Sequence, residues 1–174
     1  MFKTVLILLI AANTSQSTTI VTVYQPGHMH VLETVNGSCW TDSIAVQRTD
    51  AFRCMSGNTI HDPCFISGKK SVACPEDLLR DRGTSINLTA PLPASAGQSG
   101  GDNVWAFQLA SGALCRIGTG TITPGYPYYC SVPPVCSEPK RSSDPSVYET
   151  NCGKTENGMT VTSLRVEKVS RIWK

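Results

Sequence analysis

Short stretches of alternating apolar and polar residues recur along the chain, and no heptad pattern or fixed-period repeat runs through it. Residues 18–24 mix β-branched residues with threonine and read as a strand, and residues 31–35 as a second. Residues 85–90 alternate and are stopped by Pro91 and Pro93. Residues 104–110 and 113–117 flank Ser111-Gly112, which is a hairpin pattern. Residues 126–132 form an aromatic-rich strand candidate, and residues 160–169 a long β-prone run that ends near Trp173. Pro75, followed by acids, suits the first position of a single helical turn over residues 75–80.

Between these runs the chain is loop-like. Residues 39–65 are dense in cysteine and polar residues, with a turn at residues 55–58, and leave their regular structure open. Residues 94–102 (ASAGQSGGD) either separate two subdomains or top a hairpin. Residues 136–152 are a polar excursion that one disulfide could close. The pattern predicts an all-β or mainly β protein: a small disulfide-stapled sandwich or partly open barrel with minor helix.

Composition narrows the function. The 174 residues suit one domain, here residues 18–174, and 14 Gly with 11 Pro favour turns over long helices. A formal net charge of +2, with no basic run interleaved with aromatics, gives no electrostatic reason to expect nucleic acid. Residues 1–17 read as an export signal. Lys3 is the positive head, residues 4–12 are apolar but far too short to span a bilayer, and Ser15 and Ser17 suit a cut before Thr18. Ala11 and Ala12 allow an earlier cut. The mature chain is then expected to be secreted, extracellular or periplasmic, without a membrane span, and monomeric.

All eight cysteines (Cys39, Cys54, Cys64, Cys74, Cys115, Cys130, Cys136 and Cys152) follow that cut. An even count in a short exported chain predicts four disulfides, with the pairing left open by the spacing. No Cys-x-x-Cys pair occurs, so structural zinc is not expected.

The segments Gly37-Ser38-Cys39-Trp40-Thr41-Asp42, Arg48-Thr49-Asp50-Ala51-Phe52-Arg53-Cys54 and His61-Asp62-Pro63-Cys64-Phe65, with the later Trp105-Ala106-Phe107-Gln108-Leu109, Leu114-Cys115 and Tyr129-Cys130, resemble a set of uncharacterised Cys-rich exported domains. These are of actinobacterial type and occur alone or outside a membrane-anchored kinase. The resemblance covers most of the chain after Gly37. It implies an extracellular β-rich module with no established activity. It also implies that six cysteines belong to the shared pattern, that Cys136 and Cys152 are additional, and that these two are bridged.

Candidate chemistry is sparse. His61 and Asp62 are the catalytic candidates, but neighbours on extended backbone point to opposite sides, which is a poor start for a dyad. Asp62 before Pro63 also suits a turn. His28 and His30 would share one side of a strand, yet Pro26 and Gly27 favour an exposed loop pair over half a metal site. Gly97-Gln98-Ser99-Gly100-Gly101 resembles the nucleophile loop of trypsin-like proteases, but the chain is short for that fold and a Gly/Ser loop gives the same letters. Within the cysteine-bracketed segment, Arg48 and Asp50, with Arg53 nearby, are binding candidates, against a bidentate pair that holds a loop. Tyr126, Tyr128 and Tyr129, with Trp40 and Trp105, are candidates for a sugar- or peptide-binding face, against ordinary packing. Asn36-Gly-Ser38 and Asn87-Leu-Thr89 fit the N-glycosylation pattern.

The expected function is therefore a secreted binding or sensing module for a protein or carbohydrate ligand, without metal or cofactor. The alternatives are a small secreted hydrolase using His61, or an inhibitor or effector that acts on a partner protein.

Overall fold

The computed structural model describes residues 18–95, 103–132 and 134–174. The proposed export signal and the Gly97–Gly101 run lie outside the described residues. The described elements are β1 (Ile20–Thr22), a single 3-10 turn (Pro26–His28), β2 (His30–Asp42), β3 (Ala51–Ser56), β4 (Thr59–Gly68), β5 (Ser71–Asp77), β6 (Arg82–Leu88), β7 (Ala106–Leu109), β8 (Leu114–Ile117), β9 (Tyr128–Cys130), β10 (Val135–Cys136), β11 (Lys140–Arg141), β12 (Tyr148–Glu156) and β13 (Thr160–Trp173). The protein is mainly β, as its alternating pattern predicts.

Strands β2 to β6 form a closed barrel. Four successive antiparallel pairings join five strands, so the fifth runs in the same direction as the first. The ring must therefore close with a parallel pair, and β2 pairs parallel with β6. At β5–β6 the backbones approach so closely that a Cβ on Gly83 would stand 2.1 Å from the Cys74 carbonyl oxygen. The β3–β4 hairpin turns on Gly57-Asn58, where Gly57 takes a φ of +56°. A glycine at the first central position is what a type II′ turn requires.

Strands β13, β7, β8, β9, β10 and β12 pair antiparallel in that order, and a further β12–β13 pairing brings the two ends of the series together. This second ring has an even number of strands, so every pairing in it can be antiparallel. β11 lies along β12. β1 joins the outer side of β13 in parallel, so the whole first barrel is inserted between β1 and β7 of the larger sheet. Most of residues 94–102 lies outside the described residues; the strands of the first ring precede it and those of the second follow it.

Two differences from the sequence reading have local causes. Residues 75–80 form no helical turn. Pro75 sits in β5 opposite Gly83, and the Asp77 carboxylate accepts hydrogen bonds from the Leu79 and Arg80 amides, which folds the chain into a turn toward β6. Residues 39–65, left open above, carry the end of β2 and the β3–β4 hairpin.

The four disulfides join cysteines in order along the chain: Cys39–Cys54, Cys64–Cys74, Cys115–Cys130 and Cys136–Cys152. Cys39, Cys115 and Cys136 stand directly opposite their partners in neighbouring strands. Sulfur fills much of both barrel interiors. In the first, two bridges pack with Phe52, Val72 and Ile86. In the second, two bridges pack with Phe107, Leu109, Tyr128, Val169 and Ile172. Each bridge contributes about 2–4 kcal/mol, which compensates for the small aliphatic core of each ring.

A third apolar cluster joins the barrels. Tyr24, Phe65 and Trp105 pack with ring centroids 4.8–5.8 Å apart, alongside Leu78, Ala106 and Trp173. Strand alternation supplies them. In β4, Cys64 faces the first barrel's interior and Phe65 the junction; in β13, Ile172 faces the second interior and Trp173 the junction. Arg48 forks both oxygens of Asp50 at 2.8 and 2.7 Å, donates to the Tyr24 carbonyl at 2.9 Å, and lies 4.7 Å from the centroid of the Phe65 ring. Arg116 of β8 reaches across to the Pro75 and Glu76 carbonyls.

Candidate binding face

The outward side of β2, β3 and β4 carries the residues that the interior does not use. Cys39 and Cys54 point inward, so Trp40, Arg53 and Met55 point outward. Met55 stands opposite both Ser38 and Ile60, and Asp62 follows Ile60 two residues along β4. Trp40, Ile44, Met55 and Ile60 are 47%, 55%, 43% and 52% exposed. Among them lies a polar centre that solvent scarcely reaches: the Asp62 side chain is 1% exposed and that of Arg53 20%.

Asp62 is held by specific partners. Its carboxylate accepts from the Ser43 hydroxyl at 2.5 Å and the Ile44 amide at 3.3 Å. Ser43 Oγ in turn accepts from the Ala45 and Val46 amides at 3.1 Å, so one carboxylate organises the loop after β2. Arg53 Nε stands 3.9 Å from Asp62 Oδ2 and has no hydrogen-bond acceptor. The Trp40 ring centroid lies 5.8 Å from the Arg53 guanidinium carbon, within cation–π range. Burial pushes the Asp62 carboxyl above the ordinary carboxylate range, against the hydrogen bonds from Ser43 and Ile44 and the charge of Arg53.

His61 and Asp62 serve different neighbours. His61 stands opposite Cys54, and its Nε2 meets Ser56 Oγ at 3.0 Å across the hairpin. Among the described residues no carboxylate hydrogen-bonds or ion-pairs with His61, so the Ser56–His61 contact lacks the third group that orients a catalytic imidazole. Cavities of about 420, 420 and 430 Å³ are lined by other residues.

The remaining candidates are dispersed. Arg48 and Asp50 bind each other at the barrel junction, on a different part of the surface from Trp40. Tyr128 is a core residue: it packs against Phe107 at 5.0 Å and donates to the Val104 carbonyl at 2.5 Å. Tyr126 precedes β9, in a turn closed on Thr123. The two tyrosines therefore do not form a face, because the strand begins only after Pro127. Tyr129 is the exposed one of the three. His28 ends the 3-10 turn and His30 begins β2, both exposed. Among the described residues, the one gathering of three or more metal-ligand side chains is Cys115, Cys130 and Cys136, whose sulfurs all belong to disulfides. Asn36 and Asn87 are exposed and opposite each other on β2 and β6.

Residue types alone did not reveal Ile44, Met55 and Ile60 as site residues. The signal was the period-2 alternation around Cys54, obscured by the bulges at Trp40 and at Asp62-Pro63. No protein-family model, curated protein or solved structure matches the chain. No helix among the described residues is long and apolar enough to cross a membrane.

Proposed function

We propose that this chain is a disulfide-stabilised extracellular binding module that docks a partner protein through the β2–β3–β4 face of its first barrel. One observation carries the reading: Trp40 beside Arg53, Ile44 on the loop held by Asp62, and Met55 opposite Ile60 are exposed apolar side chains about an Arg53–Asp62 pair whose carboxylate is buried. Trp, Arg and Met are enriched at protein interfaces, and exposed apolar side chains of this kind suit a contact site. Arg53, whose side chain is 20% exposed, lies beside the Trp40 ring and brings a positive charge to this face. The mixture of aliphatic and aromatic groups favours a protein surface over a sugar, which would call for flanking hydrogen-bonding groups. The four bridges fit an oxidising compartment. The hydrolase alternative lacks support, because His61 has a serine neighbour but no orienting carboxylate.

The test is site-specific photo-crosslinking. A benzophenone side chain at Met55, on protein mixed with extracellular and envelope material, is expected to give a discrete protein adduct that Trp40→Ala abolishes. The same group at exposed Met159, in the β12–β13 turn, is expected to give none. Equal labelling from both positions, or Trp40-dependent binding to a glycan instead, would overturn the reading.

A further inference from the structure

We infer that Cys130 is a point of attack for thiols, and that it opens a two-disulfide exchange relay inside the second barrel. Three independent observations meet at this residue. First, seven of the eight cysteines are buried, and Cys130 alone is partly exposed. Second, Cys130 lines a cavity of about 430 Å³ with Tyr129, Pro134, Val135 and exposed Lys154, which is room for a small thiol or a cysteine-bearing loop. Lys154 places a positive charge where an incoming thiolate would approach. Third, Cys130 Sγ lies 3.4 Å from Cys136 Sγ of the neighbouring bridge, and the sulfurs of Cys115, Cys130 and Cys136 lie within 4.8 Å of one another. Both bridges of the first barrel are formed by buried cysteines.

Disulfide exchange proceeds by attack of a thiolate on one sulfur and expulsion of the other, and access decides which sulfur is attacked. An external thiolate attacks Cys130 Sγ, forming a mixed disulfide there, and the Cys115 thiolate leaves. That thiolate is buried beside Cys136. It attacks Cys136 Sγ, forming Cys115–Cys136 and expelling the Cys152 thiolate, which takes a proton from solvent. Two disulfides are present before and two after, one of them now to the external thiol. A second external thiolate releases the mixed disulfide as its own oxidised dimer and leaves Cys130 as a thiol, so two thiols are oxidised and one protein bridge is reduced. The substrate class is a low-molecular-weight thiol or an exposed protein cysteine.

The experiment uses the intact oxidised protein and reduced glutathione as the probe. Samples taken during native exposure are quenched in acid, alkylated and mapped by peptide mass. The expected first product carries one glutathione on Cys130, an alkylated Cys152, a Cys115–Cys136 bridge and both first-barrel bridges intact. First glutathionylation at any other cysteine overturns the point of attack. Glutathione on Cys130 with the free thiol at Cys115 and Cys136–Cys152 still bridged overturns the relay. In Cys136→Ser/Cys152→Ser the adduct is expected to stay at Cys130 while the free thiol stays at Cys115. Lys154→Glu is expected to slow adduct formation by about threefold or more at low ionic strength, a difference that salt removes. An unchanged rate would overturn the part assigned to Lys154.

Discussion

Arg53 Nε faces the Asp62 carboxylate at 3.9 Å, close enough for attraction but too far for a hydrogen bond. The carboxylate is thus neutralised only in part, and burial dominates its protonation. A carboxyl whose pKa is raised in the folded state binds its proton more tightly there than in the unfolded chain. The resulting stability is complete below the ordinary carboxylate pKa and is lost as pH rises through the raised value. Asp62→Asn cannot titrate, so the stability of the wild type relative to this variant is expected to fall as pH rises from the ordinary carboxylate range upward. Urea unfolding of both proteins at each pH measures it, and a rise over that range would show that the Arg53 charge outweighs burial.

Arg48 ties the loop after β2 to the barrel junction through Asp50, the Tyr24 carbonyl and the Phe65 ring. Arg48→Ala is expected to lose about 2 kcal/mol of unfolding free energy, the range for a charge-assisted hydrogen-bonded group that is partly exposed. Arg48→Lys keeps the charge but not the fork, and is expected to recover less than half of that loss. Denaturant titration separates the two. Equal stability of the Ala variant and the wild type would show that the junction does not depend on this side chain.

Trp105 is 1% exposed and touches both Tyr24 and Phe65 across the junction. Trp105→Ala is expected to cost about 3–5 kcal/mol. Because the cluster is shared, amide exchange is expected to speed up in β4 of the first barrel as well as in β7 of the second. Faster exchange confined to the second barrel would show that the rings fold independently.

Of the three tryptophans, Trp40 is 47% exposed, whereas Trp105 and Trp173 are buried. Acrylamide quenching is therefore expected to be biphasic, and Trp40→Phe is expected to remove the readily quenched component. A quenchable component that persists in this variant would place Trp105 or Trp173 at the surface.

The fold was largely legible where alternation was clean. The runs that became β1 and β6 mix or alternate residue types, those that became β7 and β8 flank a turn, and those that became β9 and the first part of β13 are aromatic or β-branched, while the even cysteine count anticipated four bridges. The Cys136–Cys152 bridge, implied by the family resemblance, is present. The segment from Cys39 to Phe65 resisted reading because bulges at Trp40 of β2 and at Asp62-Pro63 of β4 shift the period partway along those strands. Pro75 misled for a related reason: a proline followed by acids looks like a helix start, yet the side chain of Asp77 makes a turn instead. Of the apolar members of the proposed binding face, only Trp40 was a binding candidate from sequence. The binding role of Tyr128 yielded to packing, since its ring fills the second barrel. Ile44, Met55 and Ile60 gain meaning only when the register brings them to the same side of the sheet as Asp62.

The insertion of the first barrel between β1 and β7 orders events in time. During synthesis β1 emerges before every other described strand and its partner β13 after all of them. Residues 30–88 can close their ring and form both of their bridges while the rest is still being made, since each thiol's partner is the next cysteine along. Until β13 arrives, β1 has no edge to join and the junction lacks Trp173. The nascent first barrel then waits with Phe65 and Tyr24 uncovered, so a chain stalled before Trp173 is the form most exposed to aggregation and proteolysis.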